Sequence, residues 1–223
     1  MARARTLTEL LTEVRALTDA VGDDHITDAQ ATVWINQGIA ELWRKLVEVS
    51  PDRYAILSSP LSTTAGTAGY SVASDFMSVM RVERLDGTTR IPIDPFNFIQ
   101  APRDNPNPRG GGLTRYRIVG GGAAGTTTQI YFDPDPGTNT YQYWYVQAPP
   151  VLVGGNSFNG IAGYEDWVVL YTALRIYIRQ QDPDQASIAQ EMMRIESSIK
   201  TSASRQDVGR APRIADVRRR GRR

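Results

Sequence analysis

The sequence predicts an α+β protein. Both chain ends together should make a helical bundle domain, with an antiparallel β-sandwich or barrel-like domain inserted and an extended basic C-terminal tail. Three observations predict it. Apolar residues recur at helical spacing near both ends of the chain. Between them, from Arg53 to Ala148, short β-rich runs alternate with turn residues. Beyond Lys200 the apolar periodicity fades and arginine accumulates. The expected limits are residues 1–52 and 160–201 for the helical domain, 53–150 for the β domain and 202–223 for the tail.

The first helix is expected over Leu7 to Val21. Thr6 and Glu9 stand at the spacing of a capping box, in which hydroxyl and carboxylate satisfy the first free amides. Leu7, Leu10, Leu11, Val14, Leu17 and Val21 form one stripe, and Gly22 offers a stop. The second helix opens at Thr27, with Gln30 three residues on. Ala31, Trp34, Ile35, Ile39, Leu42, Trp43 and Leu46 give it a broad apolar face, and Pro51 resists continuation.

The central strands are expected in "RYAIL", "FMSVMRVERL", "RIPI", "LTRYRIV", "TQIYF" and "TYQYWYVQA". Asp86-Gly87 and "DPDPG" (133–137) are turn signals. In the last run Tyr141, Tyr143 and Tyr145 alternate with Gln142, Trp144 and Val146, as in a strand that uses both faces. Two glycine-rich segments, 101–112 and 120–128, read as a protruding loop and a hairpin tip.

Helix returns at Glu165 and Asp166, whose charges suit a helix N-terminus. "WVVLYTALRIYIRQQ" is apolar on most faces and should be buried on several sides. Asp182 is the expected cap of the last helix, with Pro183 at its first position. Ile188, Met192, Ile195 and Ile199 supply its stripe. The simplest closure packs Trp34 and Trp43 against Trp167, Leu170, Tyr171 and Leu174, in the protomer core or between copies.

Composition narrows the chemistry. At 223 residues the chain suffices for one well-buried domain or two small ones. It has no cysteine, which excludes disulfides and thiolate metal sites. No apolar run approaches the ~20 residues that cross a bilayer, so no membrane partner is expected. The start, "MARARTLTELLTEV", lacks the apolar core of a secretory signal.

Motifs that suggest catalysis have plainer explanations. Gly120, Gly122 and Gly125 spell G-x-G-x-x-G, but strand-like "TTTQIYF" follows where a dinucleotide site needs a helix. His25, the only histidine, has no partner for a metal set or a triad and sits in a polar turn beside Asp23 and Asp24. The pairs Asp133/Asp135 and Glu165/Asp166 suit a turn and a helix start better than acid–base work. The tyrosine run could stack on bases, yet it contains no basic residue; a packed face or a subunit interface fits better. No enzyme activity, catalytic residue, cofactor or metal is expected.

Charge is the strongest signal. From Arg205 to Arg223 the chain carries eight arginines and two aspartates, a net of +6. The other 204 residues hold 17 basic and 22 acidic side chains, a net of −5. A cationic tail on an anionic body points to an acidic partner for the tail. Ile214 and Val217, interleaved with the arginines, can anchor it while guanidinium groups pair with carboxylates. The alternative is a nucleic-acid-binding protein whose arginines contact DNA phosphates.

"ITDAQATVWINQGIAELWRKLVE" resembles the N-terminal helix of phage head-to-tail adaptor proteins, also called head completion or connector proteins. The element "W-I-N-x-x-x-x-E-L" before a β insert, and the later "APPVL…GYEDWVVLYTALRIYIRQQD", carry the likeness over about residues 7–200. The resemblance implies a structural virion protein of the neck, assembled in the host cytoplasm. It implies a homo-oligomeric ring, commonly twelvefold, that lies below the portal, extends the channel for double-stranded DNA and offers a platform to tail or nozzle proteins. It also implies that the tail docks on the portal protein, through Arg205, Arg210, Arg213, Ile214, Val217, Arg218, Arg219, Arg220, Arg222 and Arg223. Arg103, Asn105 and Arg109 of the long loop are expected to touch the tail or line the channel.

Overall fold

A computed structural model describes residues 4–18, 26–67, 69–96, 114–120, 127–158 and 163–206, with side chains to residue 201. It is α+β, with four helices and antiparallel sheets. The chain divides into two compact units, one from residues 1–50 and 149–223, the other from 51–148.

The first unit begins with a short strand, β1 (Arg5–Thr6), leading into α1 (Leu7–Leu17). Thr6 and Glu9 form the expected capping box: the Thr6 hydroxyl accepts the Glu9 N–H, and the Glu9 carboxylate accepts the Thr6 N–H at 2.9 Å. The helix ends four residues earlier than the apolar stripe predicts. Thr18 is its C-cap, with its N–H and its hydroxyl both donating to the Val14 carbonyl. Val21 and Gly22 lie outside the described residues. The next helix, α2 (Asp28–Val49), is capped by the Thr27 hydroxyl, which accepts the Gln30 N–H. Arg15 ties the two helices together: its guanidinium donates to Asp28 at 2.6 Å and to the Ile26 carbonyl at 3.1 Å.

After α2, a 3-10 turn at Pro51–Tyr54 opens the second unit. Its strands are β2 (Ala55–Leu57), β3 (Leu61–Ser62), β4 (Gly69–Ser71), β5 (Phe76–Asp86), β6 (Thr89–Ile93), β7 (Arg115–Val119), β8 (Gln129–Asp133) and β9 (Thr140–Gln147). One sheet runs β2-β9-β5-β6, with β3 also on β9; the other runs β4-β8-β7. The described strands of this unit therefore form two separate sheets and no closed barrel. Both contribute to one core of Val82, Tyr116, Ile130, Phe132, Tyr141, Tyr143 and Tyr145. Strand β9 is buried on both faces, as its alternation suggests, since Gln142 and Val146 are buried as well as the tyrosines.

Polar side chains fasten the loops of this unit. Ser58 interrupts the β2–β3 edge, and its hydroxyl accepts the Tyr143 N–H at 3.0 Å. Asp75 accepts from the Tyr145 hydroxyl and the Gln147 amide at 3.0 and 2.6 Å. Asp135 accepts the Gly66 and Gly137 N–H groups, and these backbone bonds hold its carboxyl below the usual range. Register shifts in β5 fall between Phe76 and Ser78 and between Val79 and Arg81; Met77 and Met80, at the shifts, are exposed.

The chain then returns to the first unit. Strand β10 (Ser157–Phe158) pairs with β1, and α3 (Glu165–Gln180) and α4 (Gln185–Gln206) follow. Gln181, at φ 56°, ends α3 in the left-handed region. Helix α4 starts later than expected. The Asp182 carboxylate accepts the Asp184 N–H, and it is the Asp184 carbonyl that receives the first helical amides, from Ser187 and Ile188. Helix α4 also runs on to Gln206, so residues 202–206, expected in the tail, are helical. Its backbone there includes Arg205.

Candidate interaction surfaces

The four helices meet around α3. Leu10, Val14, Ile35, Ile39, Leu42, Trp167, Val168 and Ile176 are almost fully buried there. Helix α2 can approach α3 closely because Gly38 has no side chain. A Cβ at that position would stand 3.0 Å from the Tyr171 ring and 3.3 Å from Val168. Trp167, 2% exposed, stacks on Tyr171 with ring centroids 5.4 Å apart. Lys45 of α2 lies over the Trp167 ring at 5.7 Å, and its ammonium pairs with Glu196 of α4 at 3.1 Å. One lysine thus links three helices.

Of the six residues expected to pack at this junction, Trp43 and Trp167 are buried, and Trp34, Leu170, Tyr171 and Leu174 are half-buried. The half-buried ones keep surface available for a neighbour. Asn36, one turn after Val33, has a role that the apolar pattern conceals. Its side-chain oxygen accepts the Leu152 N–H at 2.8 Å, and its amide donates to the Leu152 carbonyl at 3.2 Å. One side chain so replaces a strand partner for the returning chain. Leu152 is held in the core at 1% exposure, while its neighbours Val151 and Val153 face solvent at 65% and 68%. A polar residue in the middle of an otherwise apolar helical stretch was the available signal.

A cleft of about 500 Å³ opens between α1, α3 and α4. Leu17, Val169, Leu170 and Ile195 give it apolar walls. Glu13, Asp166 and Glu191 stand around it, with Arg194 beside Glu191. Arg5 reaches Glu13 at 2.8 Å and Asp166 at 3.5 Å, and the Glu13 contact raises the affinity of its guanidinium for the proton. The Tyr177 hydroxyl, donating to the Leu17 carbonyl at 2.9 Å, fixes the end of α1 against α3.

The arginine-rich residues from Arg210 to Arg223, with Ile214 and Val217, lie outside the described residues. So do Arg103, Asn105 and Arg109 of the long loop, and His25, Gly122 and Gly125. Where the G-x-G-x-x-G spacing would need a helix, β8 follows. Among the described residues no group of histidine, cysteine and carboxylate side chains could hold a metal ion, and no helix is long and apolar enough to cross a membrane.

A family model described as SU10 adaptor protein matches residues 5–220. The chain belongs to the SU10 adaptor protein family. No curated protein matches it. Membership supports the role of a structural adaptor in a phage particle, in keeping with the resemblance carried by the "W-I-N" helix and the returning α3 segment. The match spans the helical elements, the strands between them and most of the arginine-rich segment.

Proposed function

We propose that this SU10-family adaptor assembles into a closed ring, twelvefold in the simplest case, below the phage portal. There it extends the DNA channel and offers a platform to tail or nozzle proteins. Its helical ends form a bundle domain, and its β unit is a sandwich-like insert. The role is structural rather than catalytic. The observation that carries this reading is the family match over residues 5–220.

Charge separation supports it on physical grounds. A channel that passes DNA should not hold it, and the body of the chain is net negative. The cationic C-terminal segment, from Arg205 to Arg223, is the portal-docking element. Its arginines pair with acidic portal grooves, and Ile214 and Val217 anchor it. A ring presents many such segments at once, so modest contacts sum to a durable joint. Protomers in a closed ring meet head to tail, and the half-buried Trp34, Leu170, Tyr171 and Leu174 are candidates for that interface. The loop bearing Arg103, Asn105 and Arg109 faces the channel or the tail.

The test is a chain shortened to end at Ser204, which removes Arg205 to Arg223. It should keep its circular dichroism spectrum and thermal transition yet no longer co-purify with portal rings. Undiminished co-purification would overturn the docking role. A salt-sensitive DNA gel shift, lost on shortening and unaccompanied by portal binding, would establish the nucleic-acid reading instead.

A further inference from the structure

We propose that, before it meets any partner, the arginine-rich segment occupies the α1–α3–α4 cleft of its own chain. This goes beyond the adaptor role, because it concerns the free protomer and holds whether or not the segment later docks on a portal.

The cleft and the segment correspond in three respects. The first is apolar. Leu170, Val169 and Ile195 line the cleft, and Leu17 on its wall is 40% exposed. Ile214 and Val217 are three residues apart, the spacing that puts two side chains on one face of a single helical turn. They are the only large apolar side chains from Ala211 to Arg223. Seated in the cleft, they would cover apolar surface that otherwise meets water.

The second is charge. Asp166 has a side chain 68% exposed, and its one ion pair among the described residues, with Arg5, is 3.5 Å long. Glu13 uses one carboxylate oxygen for Arg5. Each therefore keeps acceptor capacity for an incoming guanidinium, since a carboxylate has about four lone-pair sites. Arg213 and Arg218, flanking the apolar pair, are placed to use it. Arg5 and Arg194 already offset part of the acidic charge, so the apolar contact supplies the affinity and the carboxylates select the orientation.

The third is reach. Ile214 lies eight residues beyond Gln206, so an extended connection covers about 26 Å at ~3.3 Å per residue. Ser198 and Ile195, on the cleft side of α4, lie eight and eleven residues before Gln206, about 12 and 17 Å back along the helix. The connection is therefore long enough for the segment to fold back along α4 and reach the cleft. In that position its cationic surface is withheld from DNA and from other polyanions, and an acidic portal groove must compete it away.

The chain contains no cysteine, which makes a direct test possible. In full-length protein, Ser198→Cys is combined with Ala215→Cys, and in a control chain Val33→Cys on α2 is combined with Ala215→Cys. Both are oxidised at low micromolar concentration without portal. Docking in the cleft predicts an intramolecular disulfide at least about tenfold faster in the first pair, through its higher effective concentration. Adding Ile214→Asp and Val217→Asp should abolish that preference while the thermal transition stays in place. Equal rates in the two pairs would overturn the proposal. Disulfide-linked dimers as the main product of the first pair would also overturn it, because the occupant would then come from a second copy.

Discussion

Asn36 decides more at the residue scale than its size suggests. Its amide satisfies both backbone groups of Leu152, a buried residue with no strand neighbour. Asn36→Ala would leave a buried N–H and C=O unpaired, at about 1–3 kcal/mol. The expected outcome is a lower thermal midpoint with faster proteolysis near residues 149–156, measured by limited digestion. An unchanged digestion pattern would deny it the clamping role. Gly38 is the other critical single position. A Gly38→Val side chain would enter the Tyr171 ring and Val168, and overpacking of this kind costs about 1–3 kcal/mol. Denaturant unfolding followed through tryptophan fluorescence reports it directly, because Trp167 stacks on Tyr171.

Single elements owe their limits to local polar chemistry, and that sets how far the sequence was legible. The capping box at Thr6, the Thr27 cap and the six β-rich runs all appear as strands or helices where expected, because hydrophobic period and capping residues act locally. The ends of α1 and α4 were misplaced. A Thr18 hydroxyl that turns back on Val14, and an Asp182 that bonds Asp184 instead of the helix, are choices among near-equal partners. Strands β1, β3, β4 and β10 were not anticipated. Each is two or three residues long and exists only through its partner, as β1 does through β10. The Asn36 clamp and the cleft were also not foreseen, since they join residues more than a hundred positions apart.

The β unit carries a pH prediction of its own. Burial pushes the Tyr116, Tyr141, Tyr143 and Tyr145 hydroxyls above their ordinary range; Asp94 adds to this at Tyr116 and Asp75 at Tyr145. A raised folded-state pKa means that the stability is intact below the unfolded value of about 10 and is lost as pH rises past it. Alkaline titration should therefore show some tyrosines ionising late, together with loss of near-ultraviolet circular dichroism. If every tyrosine ionised near pH 10 with the fold intact, the buried cluster would be refuted.

For the whole molecule, the α+β class and the adaptor family rest on broad patterns: helices at both chain ends, strands between them, and the "W-I-N" and α3 segments. Assembly was less legible, because association and partner choice depend on surface complementarity between chains, which no local sequence pattern encodes. The central claim is a division of labour, with an anionic body that packs against its own copies and a cationic segment that grips another component of the neck. The most direct measurement is a high-resolution map of the neck in the mature particle. The account predicts continuous density for Arg210 to Arg223, with guanidinium groups against portal carboxylates and Ile214 and Val217 in apolar seats. That segment standing free in solvent in every copy, touching no neighbour, would contradict it.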